Sequence, residues 1–246
     1  MIQTEALVER VWRVAPGLQR LALAADPALL HIAAGQFVLA QTAPDWSPYL
    51  RETWTPVDIQ EGQLIVEPLA ARAYSPGQQI DLLGPLGQPF PWVGGGGKRL
   101  LLIAMDAPPR PLLHLAHTAL ANTAEVALVL LGTARDYPFA GIPAAVEVIT
   151  GEIDGGWADR DATLAWPDQI FATVPPHHWD DYGALLYHLT EESRGTTLPA
   201  GFLFMVANWP MPCGVGACTA CMLRTTSGLK TLCTDGPALD MTDMRF

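Results

Sequence analysis

Outside residues 213–233 the chain contains no cysteine. Cysteines spread along the chain as a disulfide framework are therefore absent, and with them the usual mark of a small secreted domain. Charge is sparse as well. Only 16% of residues are charged, and 14 lysines and arginines stand against 25 acidic residues, for a formal net charge of -11. That balance excludes nucleic acid and an anionic membrane surface as expected partners, because both select basic patches. No uninterrupted apolar stretch approaches the roughly 20 residues a membrane helix needs. The opening MIQTEALVERVWRV has no basic region followed by an apolar run, so a signal peptide is not expected. With thiols kept reduced, the cytoplasm is the expected address. What the chain has in plenty is apolar side chains. They make up 50% of its 246 residues, enough for one large domain or two ordinary ones with an appendage.

All four cysteines lie in Cys213-Gly-Val-Gly-Ala-Cys218-Thr-Ala-Cys221 and Cys233-Thr-Asp-Gly-Pro, a C-x4-C-x2-C-x11-C spacing. A [2Fe–2S] cluster needs thiolates converging on a pair of irons, and a C-x4-C-x2-C loop with a distant last cysteine is the plant-type way to supply them. Gly214 and Gly216 lack a Cβ, so the loop can wrap tightly and bring backbone N–H groups to sulfur. Disulfides fit poorly, because cysteines this close would form strained small rings. Zinc is the stronger rival. Its usual sites pair two short knuckles, and only one is clean here. The spacing favours Cys213, Cys218, Cys221 and Cys233 as ligands of a [2Fe–2S] cluster, with zinc as the alternative.

Taken in order, the chain reads as α+β and multidomain. In the first 90 residues Val8, Trp12 and Val14 share one face of a strand, and Glu9 and Arg13 share the other. Arg10 and Val11 break that alternation. Pro16-Gly17 predicts a hairpin turn into Leu21 and Leu23. Further strands are expected from Gly35, over Leu64–Glu67 and over Gln79–Leu83, with turns at Pro76-Gly77 and Gly84-Pro-Leu-Gly87. Short strands punctuated by Gly and Pro point to an antiparallel β-barrel, assigned to residues 1–93. The glycine run within 91–97 reads as a hinge or turn. It precedes a strand, whereas a phosphate loop follows one. Strands are then expected at Arg99–Ala104, Glu125–Leu131, Ala145–Thr150, Gln169–Val174 and Gly201–Val206, with helices over Pro111–Ala121 and Asp180–Glu192. That alternation predicts a doubly wound, Rossmann-like domain over residues 98–208, followed by a cluster-binding segment over 209–246. His114 and His117 share a helix face without an evident third ligand, and His177 and His178 precede a helix. Packing or capping roles are expected for all of them.

Barrel, nucleotide-type domain and cluster loop, in that order, resemble the electron transfer subunit of dihydroorotate dehydrogenase, in the ferredoxin reductase-like superfamily. The cysteine loop carries the resemblance, supported by Gly35-Gln-Phe and Gly84-Pro-Leu-Gly87. It implies a flavin-binding type of barrel, with FAD between barrel and nucleotide domain and NAD exchanging hydride with it. The cluster would link FAD to an FMN held by a TIM-barrel dehydrogenase subunit, in a hetero-oligomer. The family's flavin motif, Arg-Pro-x-Ser, corresponds to Arg51-Glu-Thr-Trp-Thr55, with either Arg51 or Glu52 at the arginine position. Its Gly-x-Gly-Thr corresponds to Pro68-Leu-Ala-Ala71. The FAD contacts implied are therefore Arg51, Thr53, Thr55, Ala70 and Ala71. The family's Gly-rich nucleotide turn is replaced by Ala104-Met-Asp-Ala-Pro-Pro-Arg-Pro111, and its Cys-Gly-Pro by Thr173-Val-Pro175. Prolines bring no N–H donors and Asp106 adds negative charge, so NAD is not expected as a cofactor. The expected function is a one-electron relay between a flavin and a partner flavin dehydrogenase of pyrimidine biosynthesis, without a catalytic residue of its own. The alternative is a non-catalytic scaffold subunit holding zinc or an idle cluster.

Overall fold

The structure, a computed structural model, describes residues 1–42, 49–68 and 72–244. Its first sheet contains β1 (Ile2–Ala15), β2 (Leu18–Ala24), β3 (Phe37–Gln41), β4 (Glu52–Trp54), β5 (Pro56–Gln60), β6 (Gln63–Val66) and β7 (Gln79–Leu86). These strands pair antiparallel in the order β4-β3-β7-β1-β2-β6-β5 and curl into a nearly closed barrel. The hairpin turns at Gly17, where Pro16-Gly17 predicts it. The broken alternation around Arg10 has a cause in the backbone. The β1–β2 register shifts between Val8 and Arg10, so Glu9 is the extra residue of a bulge, and the inward face changes parity there. Val8, Leu21, Leu23, Val38, Trp54, Leu64, Ile80 and Leu82 fill the barrel, and each such burial contributes about 1.5–3 kcal/mol.

The second sheet is built from β8 (Arg99–Met105), β9 (Glu125–Leu131), β10 (Glu147–Gly151), β11 (Gln169–Val174) and β12 (Leu203–Ala207). All are parallel, in the order β10-β9-β8-β11-β12. Helices α1 (Arg110–Ala121), α2 (Arg160–Ala165) and α3 (Trp179–Arg194) connect them. The apolar run of β8 is buried from Leu100 to Met105, as a strand covered on both faces must be. The order reverses between β8 and β11, because the chain leaves β8 towards β9 and later returns to place β11 on the other side.

The segment joining the sheets is fastened along part of its length. The Gln169 side chain accepts the Val93 N–H at 2.9 Å and donates to the carbonyls of Pro91 at 2.9 Å and Gly201 at 2.8 Å. The turn expected from the glycines follows at Gly95–Lys98. A second fastening is ionic. Glu67, with a fully buried side chain, accepts from Arg20 Nε at 2.8 Å and from the Tyr137 hydroxyl at 2.8 Å, and Arg20 also reaches the Gly141 carbonyl at 2.8 Å. Burial and the nearby Glu67 carboxylate push the Tyr137 phenol up. The ion pair lies within the barrel, and the Tyr137 hydroxyl and Gly141 carbonyl tie it to the parallel-sheet region.

After β12 the chain forms the hairpin β13 (Met222–Thr225) and β14 (Gly228–Thr231), the short helix α4 (Leu232–Asp235) and β15 (Ala238–Asp240). β15 adds antiparallel to β12 and anchors this segment on the sheet edge. Among the described residues no helix is long and apolar enough to cross a membrane.

Candidate metal centre and flavin cleft

The cysteine loop sits on the end of β7. Gln88 donates from its backbone N–H to the Gly236 carbonyl at 2.8 Å and from its side chain to the Thr234 carbonyl at 2.9 Å. Gly84-Pro-Leu86, expected as part of a turn, is the last stretch of β7, and the residues just past it seat the cluster segment. Gly214 has φ +66°, and a Cβ there would lie 2.6 Å from Leu86 Cδ1. Glycine is required at this point by conformation and by contact together.

The cysteine side chains act on one another across the loop: Cys218 on Cys213, and both Cys221 and Cys213 on Cys233. Cys213 Sγ accepts the Cys218 N–H at 3.5 Å, and Cys233 Sγ accepts the Gly216 N–H at 3.2 Å. Burial acts to raise the Cys213 thiol, but N–H groups of Val215, Cys218 and Ala217 outweigh it and bring it down to about 6. Burial, then the adjoining Cys221, push Cys233 up to about 12. Among the described residues no three His, Cys, Asp or Glu side chains gather around a single ion position. The C-x4-C-x2-C loop with its distant last cysteine suits a [2Fe–2S] cluster better than the paired short knuckles of a zinc site. N–H groups aimed at sulfur suit either metal, since both stabilise negative thiolate.

The loop has an inner and an outer edge. Cys221 and Cys233 are buried in the core shared with Phe37, Leu39 and Leu86 of the barrel. Cys218 is exposed, and Val215, Met222 and Leu229 are apolar side chains exposed in the same segment. Cys213 is intermediate.

The flavin contacts implied by resemblance are placed unevenly. Arg51 forms an ion pair with Asp81 at 2.8 Å and also donates to its carbonyl at 3.1 Å, so its charge is engaged within the barrel. Glu52 turns to Thr42 and to the Trp54 indole rather than to the cleft. Thr53 and Thr55 do face the space between barrel and sheet, with Gly35, Pro111, Asn208 and Trp209. Thr53 Oγ1 accepts the Met211 N–H at 3.0 Å, tying this wall to the segment that leads from β12 into the cysteine loop. Between these residues the cavity volume is about 10 Å³, roughly room for one water. Ala70 and Ala71 lie outside the described residues. The walls fit a flavin. The spacing between them and the commitment of Arg51 do not.

The histidines are placed as expected. Burial brings His114 down to about 4, and His117 Nδ1 lies 3.4 Å from Asp58 Oδ2. His178 occupies the cap position of α3 without a side-chain cap bond. Thr173 is buried within the sheet and donates to the Val206 carbonyl at 3.3 Å. Sequence reasoning missed Glu67. A Glu-Pro pair ending a strand looks like a solvated turn, and its partners lie 47 and 70 residues away.

Residues 208–245 match the family model of the iron-sulfur cluster binding domain of dihydroorotate dehydrogenase B. The chain as a whole is similar to a dihydroorotate dehydrogenase B (NAD(+)) electron transfer subunit of Geobacillus thermodenitrificans, 27% identical over 96% of this chain and 93% of the relative. A subunit of the same name from Clostridium perfringens is 25% identical over 69% and 68%. The solved NADH-dependent reduced ferredoxin-NADP oxidoreductase superposes with a TM-score of 0.67 at 17% identity, over 98% of this chain and 89% of its own. Phthalate dioxygenase reductase superposes with a TM-score of 0.55 at 14% identity, over 82% and 66%. A segment similar to the dihydroorotate dehydrogenase B cluster domain thus ends a body with the ferredoxin reductase-like fold.

Proposed function

We propose that the chain is an electron-transfer subunit whose [2Fe–2S] cluster, on Cys213, Cys218, Cys221 and Cys233, relays single electrons between a flavin and a partner flavin dehydrogenase. Dihydroorotate dehydrogenase of pyrimidine biosynthesis is the partner to which the relatives' names point. The observation that carries the reading is a glycine loop holding the four cysteines, whose N–H groups aim at the Cys213 and Cys233 sulfurs. When bound, such a cluster accepts and returns one electron at a time. The chain's own residues supply the rest. Backbone N–H groups of Val215, Ala217 and Cys218 stabilise negative charge on Cys213. The buried Cys221–Cys233 edge faces the barrel, and the exposed Cys218 edge is the one open to a partner.

FAD is assigned to the interdomain cleft, with Thr53 and Thr55 as its wall and Arg51, Ala70 and Ala71 as the further contacts that the resemblance implies. When bound, FAD couples two-electron chemistry to a one-electron cluster. Support for it is the shared fold and the two hydroxyls; against it stand the narrow slot and the Arg51–Asp81 pair. Flavin content is therefore a measurement in its own right. A hetero-oligomer with an FMN-bearing TIM-barrel subunit in the cytoplasm completes the reading. The test is co-expression with such a subunit. Dihydroorotate should then reduce the cluster in the complex, and should fail to do so with the isolated chain. A chain that carries stoichiometric zinc and stays colourless overturns the relay in favour of a scaffold.

A further inference from the structure

In open α/β sheets, ligands enter at the carboxyl ends of the strands where the strand order reverses. Here that crevice lies between β8 and β11, and a side chain occupies it. Asp106 follows β8 with φ +48°, a left-handed conformation uncommon outside glycine. Its Oδ1 accepts the N–H of Thr133, just after β9, at 2.8 Å. Its Oδ2 accepts the hydroxyl of Tyr182, on the helix after β11, at 2.7 Å. Gly132 has φ +60°, and a Cβ there would overlap the Asp106 carboxylate. His178 stacks on Tyr182 with ring centroids 4.5 Å apart. One carboxylate thus joins the ends of β8 and β9 to the helix after β11. The Thr133 N–H, then the Tyr182 hydroxyl, hold the Asp106 carboxyl below its usual range, so it is anionic at neutral pH.

The helix that would receive a phosphate is also altered. α1 begins after Pro109 without a side-chain cap, and Pro111 removes an N–H from its first turn. Arg110, the cation at that end, is buried and donates to the Glu67 carbonyl at 3.2 Å, on the barrel side. A dinucleotide pyrophosphate arriving here would meet a fixed negative charge instead of free N–H donors.

We propose that Asp106 is an internal stand-in for the dinucleotide phosphate, a specificity-determining residue that closes this edge to nicotinamide dinucleotides. The relatives carry NAD(+) in their names, whereas the turn after β8 in this chain is Asp106-Ala-Pro-Pro-Arg-Pro111. Electrons for the relay then pass through a flavin or a protein partner. The assignment goes beyond the relay and does not depend on the cluster, because binding can be measured without it.

The test is calorimetric titration of the purified full chain with NADH and with ADP-ribose, for the wild type, Asp106→Gly and Asp106→Asn. The wild type should show no saturable binding. Asp106→Gly, which frees the Thr133 N–H and removes the like charge, should bind ADP-ribose at least about tenfold more tightly than the wild type. Asp106→Asn keeps the side chain, loses the charge and should gain less; if the glycine variant fails to fold, any gain by the asparagine variant carries the test. Saturable micromolar binding of NADH by the wild type overturns the proposal, and so does a folded variant set that gains nothing. Iron and sulfide measured on the same samples separate this outcome from that of the relay.

Discussion

Two turns of this chain solve the same local problem with opposite results. The loop at 213–221 and the edge formed by Asp106, Gly132 and Thr133 both use left-handed backbone to aim N–H groups at an acceptor. In the loop the acceptors are thiolates that metal ions can share. At the edge the acceptor is a carboxylate of the chain itself, and the donors are consumed. A redox-protein body can therefore keep one cofactor site and close another without changing its fold. What decides is whether the residue receiving the N–H groups leaves a valence for something else.

The largest effect should come from the loop's inner edge. Cys233→Ala removes a ligand buried beside Cys221, and iron and acid-labile sulfide per chain should fall to near background, with loss of visible colour. Next comes the fastening between the two regions. Arg20→Met leaves the Glu67 carboxylate buried without its cation, which should cost about 3–5 kcal/mol in urea unfolding. The cluster spectrum should stay unchanged, since neither residue belongs to the loop. If the spectrum shifts, the two regions are coupled more tightly than their separate hydrogen bonds suggest.

A pH effect follows from His114. Its folded value of about 4 lies below the ordinary 6.5, so the unfolded chain binds the proton more readily. The stabilisation is complete above the unfolded value and is lost as pH falls from about 6.5 towards about 4, by up to about 3 kcal/mol. Asp58 opposes that shift and His117 adds to it. His114→Leu should flatten that part of the stability-against-pH curve. The smallest effect is Gly214→Ala, which forces a Cβ into the left-handed region against Leu86. It should cost about 1–2 kcal/mol and lower cluster occupancy, whereas Gly17→Ala, with open space around it, should leave occupancy alone.

Much of this was legible in the sequence because the signals are local. Cysteine spacing, Pro-Gly turns, and apolar runs such as Leu100–Ala104 act over a few residues, and the structure places loop, hairpin and buried strand accordingly. β4 and β5 were not foreseen. They are short strands at the two ends of the sheet order, and β5 opens with Pro56. Such edge strands take their pairing from distant neighbours rather than from their own pattern. Non-local charge was the other blind spot. Arg51 was expected on a phosphate and instead meets Asp81, 30 residues on, and Glu67 meets Arg20 and Tyr137. The negative character of Asp106 was visible in sequence, but its left-handed conformation and its grip on Thr133 and Tyr182 were not.

The central claim is that Cys213, Cys218, Cys221 and Cys233 hold a [2Fe–2S] cluster. The most direct test is metal, sulfide and electron paramagnetic resonance analysis of the full chain purified without oxygen. The account predicts iron and acid-labile sulfide in equal amounts, colour that bleaches with dithionite, and a paramagnetic signal that appears on reduction. A colourless protein with zinc and no sulfide would contradict it.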